Sequence, residues 1–131
     1  MRSGVQSGEA VVSEFEETLR KLAVRDDAYV DSLLADDHAG ATASRLDEKT
    51  RALVRVGALV AVDATPPSYM EAIESARRGG ASSEEIVGCL VAVLPAVGVA
   101  RVVSAAPKVA LALGYDVDAA LEGHATNARR P

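Results

Sequence analysis

Few residues in this 131-residue chain have the types and spacing that chemistry requires. The only cysteine is Cys89, one helical turn beyond Ile86 in an apolar stretch. A reactive thiol needs its pKa lowered by a nearby cation. No Lys, Arg or His lies near Cys89 in sequence, so it reads as a small hydrophobe that packs. Asp36-Asp37-His38 sets two acids beside a histidine. Three consecutive residues make no favourable chelate without a distant fourth ligand, so this is a solvated helix end, and no metal is expected. The other histidine, His124, falls in the terminal tail. Arg78-Gly79-Gly80-Ala81 ends a helix and follows no strand, so it is not a phosphate loop, and no cofactor is expected. Arg101 stands at a helix start, where the helix dipole disfavours a cation. Two partners would hold it there, an acid across an interface or a ligand carboxylate, and the first is favoured.

The elements that would position these residues are all helical. Val12, Phe15, Leu19 and Leu22 recur at helical spacing over residues 8–23. Asp26 and Asp27 can cap a second helix bearing Tyr29, Val30, Leu33 and Leu34, which stops near Asp37. Residues 38–45, rich in Ala, Gly and Ser, read as a small-residue loop. Asp47 caps a third helix whose stripe of Leu53, Val56, Gly57 and Val60 is widened by Val54, Ala58, Ala61 and Val62. A helix apolar nearly all round is expected to be buried, and Gly57 would permit a close crossing. Pro66 and Pro67 break the chain, and the next helix runs from about Pro67 to Arg78, ended by Gly79 and Gly80.

Ser82 and Glu85 form a capping box, the clearest boundary in the chain. The helix it opens turns Ile86, Leu90 and Val93 inward, with Val87, Val91 and Leu94, until Pro95 ends or kinks it. Val99, Val102, Val103, Ala106, Val109, Ala110 and Leu113 form a last seam, which Pro107 should kink and Gly114 should end. Residues 115–131 start with a short helix capped by Asp116 or Asp118, and 124–131 read as a loose tail. The expectation is a single all-α domain over 1–131, a compact bundle of about six helices.

Composition narrows the function. The chain is 49% hydrophobic but only 3% aromatic, so its core is built from Ala, Val and Leu. One 131-residue globule has too little interior for several helices apolar beyond one stripe, which points to burial between identical subunits. Net charge is -5, from 19 acids and 14 bases, and the bases are scattered apart from Arg77-Arg78 and Arg129-Arg130. With no basic face and no interleaved aromatics, nucleic acid is not an expected partner. The first ten residues lack a signal-peptide core. The longest apolar run, Leu90–Val97, is too short to span a bilayer, so the expected location is cytoplasmic with no membrane partner.

Three stretches carry a family resemblance. Leu46-Asp-Glu-Lys-Thr-Arg-Ala-Leu-Val54 is similar to the L-D-x-K-T-R-E-L-V start of the central helix in the carboxymuconolactone decarboxylase family, which includes the alkylhydroperoxidase D-like proteins. Gly80-Ala-Ser-Ser-Glu-Glu-Ile86 resembles its G-A-[ST]-x-E-E-I turn, and Gly98-Val-Ala-Arg101 its G-[FY]-P-[RA] bend. Together they span about residues 46–114. The resemblance implies an all-helical, alkylhydroperoxidase D-like protomer that assembles as a trimer or hexamer. Members include cofactor-free decarboxylases of small lactone acids and thiol peroxidases.

The reactive groups of that family are replaced here. Its peroxidase branch carries C-x-x-C-x-x-x-H, and those slots fall on Thr65, Ser68 and Ala72, while the glutamate of the preceding helix falls on Ala52 or Leu53. No register restores the motif, because the chain has one cysteine and no histidine between His38 and His124. Ser68, Tyr69 and Glu71 are the polar groups left near the reactive position and the candidate site residues, with Arg101 the candidate for a ligand carboxylate. The favoured reading is a divergent relative that binds a small metabolite or serves an assembly role, without thiol peroxidase activity. The alternatives are a cofactor-free decarboxylase, isomerase or hydrolase of a small carboxylic acid or lactone, and, disfavoured, a peroxidase.

Overall fold

The structure is a computed structural model that describes residues 13–115. Every regular element among them is an α-helix: α1 (Glu14–Ala23), α2 (Asp27–Leu34), α3 (Asp37–Ser44), α4 (Glu48–Ala61), α5 (Pro66–Arg78), α6 (Ser83–Val97) and α7 (Val99–Ala112). Among the described residues there are seven helices, against the about six expected of the chain. None is long and apolar enough to cross a membrane. The chain divides into two compact units at Arg45–Leu46. The expected helix over 115–131, residues 8–12 of the first helix, His124 and Arg129-Arg130 lie outside the described residues.

The unit ending at Arg45 holds α1, α2 and α3. Ser13 caps α1 with a reciprocal capping box: its hydroxyl accepts from Glu16 N (3.4 Å), and Glu16 Oε1 accepts from Ser13 N (3.3 Å). Asp26 caps α2, its Oδ1 accepting from Tyr29 N at 3.1 Å. Residues 38–44 are not the expected loop. Asp36 Oδ1 accepts from Ala39 N at 2.7 Å and starts α3, which the alanines at 39, 41 and 43 sustain. Gly40 serves packing there, since a Cβ would stand 3.1 Å from Leu33 O of α2. Arg45, at φ 60, closes α3 in a left-handed turn. No residue of these three helices is buried.

The second unit holds α4–α7, with α4 packed on α5 and α6 and α7 packed on the same two helices. As the sequence predicts, Asp47 caps α4 by accepting from Thr50 N at 2.7 Å. The Ser82–Glu85 capping box opens α6, with bonds of 3.1 and 2.9 Å. Pro66 and Pro67 occupy the first turn of α5, where missing N–H groups cost nothing. The core takes Ala52, Val56 and Val60 from α4, Tyr69, Ile73 and Ala76 from α5, Ile86 and Leu90 from α6, and Ala105 and Val109 from α7. Each set repeats every three or four residues, one stripe per helix.

Two close approaches depend on glycine. A Cβ at Gly79 would lie 2.9 Å from Lys49 N, and one at Gly57 would lie 3.1 Å from Val93 Cγ1. Both join α4 to its neighbours, and Gly57 plays the part expected of it.

Two expectations on burial and helix ends are corrected. Helix α4 is not buried all round: Val54 is largely exposed, as is Val62 just past its end. Helix α7 turns Ala105, Val109 and Ala110 to the core and leaves Val99 and Val103 exposed, because it is apolar on two faces and only one of them can lie against its neighbours. Helix α6 runs through Pro95 to Val97 and ends at Gly98, whose φ of 90 is left-handed. Pro95 removes only one donor near the helix end, too little to stop it. Helix α7 continues through Pro107, as the expected seam over 98–113 requires.

Candidate functional site

Helices α4 and α5 lie side by side and leave a groove of about 300 Å³ between them. Its lining is Arg55, Ala58 and Leu59 from α4, and Ser68, Glu71, Ala72 and Ser75 from α5. The spacing explains the selection. Residues 55, 58 and 59 form one helical face, as do 68, 71, 72 and 75, and each face flanks the buried stripe of its helix. The groove therefore gathers two of the predicted site residues, Ser68 and Glu71, with Ala72 beside them.

The polar groups of the groove are open to a ligand. Arg55, Ser68 and Glu71 are exposed, and none of their side chains forms a hydrogen bond or ion pair among the described residues. Ser75 Oγ accepts from Arg78 Nη2 at 3.0 Å, which leaves its own proton to donate. The neighbouring acid Glu74 is paired with Arg78 at 3.2 Å. One cation and one anion thus stand unpaired over a floor of Ala58, Leu59 and Ala72.

Tyr69 and Arg101 go elsewhere. Tyr69 sits in the core, fully excluded from solvent, and its hydroxyl has no hydrogen-bond partner. Burial raises its pKa, and the Asp63 carboxylate raises it further. Arg101 places Nη1 3.4 Å from Asp63 Oδ2. It pairs with an acid, as favoured, but one in its own chain. Asp63 also accepts from Ser104 Oγ at 2.7 Å and Lys108 Nζ at 3.3 Å, and Lys108 donates in addition to Ala64 O at 2.8 Å. Those bonds to Ser104 and Lys108, then the charge of Lys108, hold the Asp63 carboxyl below its ordinary pKa. Asp63 adopts φ 53 just past the end of α4 and so faces α7. This cluster clasps the α4–α5 connection to α7.

Cys89 lies on α6, half-buried, with Sγ 3.5 Å from Glu85 O and 3.6 Å from Leu53 O. Burial, then the Glu85 charge, raises the thiol's pKa, so its thiolate is suppressed rather than stabilised. Asp36 spends its carboxylate capping α3, with Asp37 in the first turn. Among the described residues no group of His, Cys, Asp and Glu is placed to hold a metal ion.

Two larger hollows are almost wholly apolar. One, of about 470 Å³, lies between α6 and α7 over Val87, Leu90, Val109 and Leu113. The other, of about 450 Å³, lies between α4 and α6 beside Cys89. Larger volume does not make either the better site, because a ligand needs polar groups to fix its orientation, and these converge between α4 and α5.

Arg55, Asp63, Ser104 and Lys108 were not singled out from sequence. Asp63 and Lys108 are 45 residues apart, and no local pattern links them. Comparison with known protein families, curated proteins and solved structures finds no match.

Proposed function

We propose that this chain is a divergent relative of the carboxymuconolactone decarboxylase family, with the alkylhydroperoxidase D-like fold, that binds a small carboxylated metabolite and lacks thiol peroxidase activity. The observation that carries the reading is the α4–α5 groove, where an unpaired arginine lines a hollow of small apolar residues; the resemblance would put the family's reactive positions at Ser68 and Ala72 beside it. A guanidinium is suited to a carboxylate, which it can grip through two parallel bonds. The raised pKa of Cys89 argues against peroxide reduction.

The protein is further proposed to be a cytoplasmic homo-oligomer, a trimer or hexamer. Val91 of α6 and Val99, Val103 and Leu111 of α7 are all more than 60% exposed in one chain, and contact with a second copy would cover such apolar side chains. One observation favours the cofactor-free enzyme as a second reading: the Ser68 hydroxyl and the Glu71 carboxylate share the groove on successive turns of α5.

The test is calorimetric titration of the full chain with small monocarboxylic acids, beside the Arg55→Gln variant. Binding that Arg55→Gln weakens is expected. Absence of binding at millimolar concentration, or binding indifferent to Arg55, refutes the reading.

A further inference from the structure

We infer that the ligand of the α4–α5 groove is a small zwitterion, an amino acid with its carboxylate toward Arg55 and its ammonium toward Glu71. The inference rests on the groove being a carboxylate site and adds the second charge. Arg55 and Glu71 line the same groove from opposite helices, yet no ion pair joins them and neither has another partner among the described residues. Nearby charges on α5 behave otherwise, since Glu74 and Arg78 pair directly. An unpaired cation and an unpaired anion across one hollow match a ligand that carries both opposite charges.

The same two residues exclude other chemistries. A dicarboxylate or a phosphate ester would set surplus negative charge against Glu71, and a diamine would set a cation against Arg55. The free hydroxyl of Ser68 and the donor proton of Ser75 supply neutral bonds beside the charges. Ala58, Leu59 and Ala72 accept methylene or methyl groups between them. A volume of about 300 Å³ is at the small end for ligand sites, so a short unbranched or lightly branched frame fits best.

The experiment titrates the full chain with glycine, alanine, β-alanine and 4-aminobutyrate. Each is compared with its N-acetyl derivative, which lacks the ammonium, and its carboxamide, which lacks the carboxylate. At least one amino acid should bind about fivefold or more tighter than both of its derivatives, the scale of one partly screened charge contact. Glu71→Gln should abolish the preference over the N-acetyl form, and Arg55→Gln the preference over the carboxamide. Both positions are exposed, so both variants should keep the wild-type circular dichroism and melting temperature. If the N-acetyl acids bind as well as the free amino acids and Glu71→Gln changes nothing, the zwitterion is refuted while the carboxylate site stands. If no probe binds, both readings fall.

Discussion

Tyr69→Phe should stabilise this protein. Tyr69 is fully buried and its hydroxyl has no partner, so folding strips that group of water without a replacement bond. Leaving a buried polar group unsatisfied costs about 1–3 kcal/mol. One neutral hydroxyl falls near the lower end of that range. Against this stands the void left by one oxygen atom, roughly 10–15 Å³, which at about 24 cal/mol per Å³ costs roughly 0.3 kcal/mol. The net gain is then about 1 kcal/mol, a rise in melting temperature of about 3–5 °C for a domain of this size. Thermal and urea unfolding followed by circular dichroism measure it, and the urea slope should not change. Tyr69→Ala gives the contrast, losing about 3–5 kcal/mol as the ring is deleted. A Tyr69→Phe protein less stable than wild type by more than about 0.5 kcal/mol would mean that the hydroxyl is bonded, and the reasoning would fail.

Other expectations use the same measurements. Gly88 has a helical backbone and nothing within 4 Å of an added Cβ, so Gly88→Ala should stabilise by about 0.5–1 kcal/mol. Gly98 has equal space but φ of 90, so Gly98→Ala should cost about 1–2 kcal/mol, and two shifts of the same sign would contradict this account. The depressed pKa of Asp63 means that folding stability gained from its carboxylate is present above its unfolded pKa and lost as pH falls through the folded one. Asp63→Asn should therefore flatten the acid limb of the stability curve below about pH 4, and a limb as steep as in wild type would show that the clasp contributes nothing. Cys89 should react with a disulfide reagent at pH 7 more slowly than a free peptide thiol, and Cys89→Ser should leave no peroxide turnover to lose. Fast labelling would overturn the inert reading.

What could be read from sequence is mostly what is encoded within a few residues. The caps at Asp26, Asp47 and Ser82 each join a side chain to a backbone N–H three residues on, so composition and order suffice. The same logic should have found Ser13 with Glu16, and a helix after Asp36. The second was missed because α3 has alanines where an apolar stripe would show. Facing was harder. The apolar periodicity of α7 fits two faces, and only its packing on α5 and α6 selects Ala105 over Val103. In the candidate site, Ser68 and Glu71 could be named because α5 holds both. Arg55 belongs to the groove only because α4 is laid against α5, a fact that no window of sequence contains.

The absence of any buried side chain in α1–α3 has a consequence for how the chain breathes. Opening a helix is costly when it exposes a core, and these three are held by caps, by exposed ion pairs such as Arg45–Glu14 and by the Lys21 ammonium over the Tyr29 ring. Their amides should exchange with solvent deuterium through small openings that denaturant hardly accelerates. The amides of α4–α7 should exchange only when Val56, Ile73, Ile86 and Val109 come apart together. A protease reads the same difference as a choice of where to cut. Trypsin should find Arg20, Lys21, Arg25 and Arg45 long before Arg55 or Lys108, and the fragment that survives should begin at Leu46.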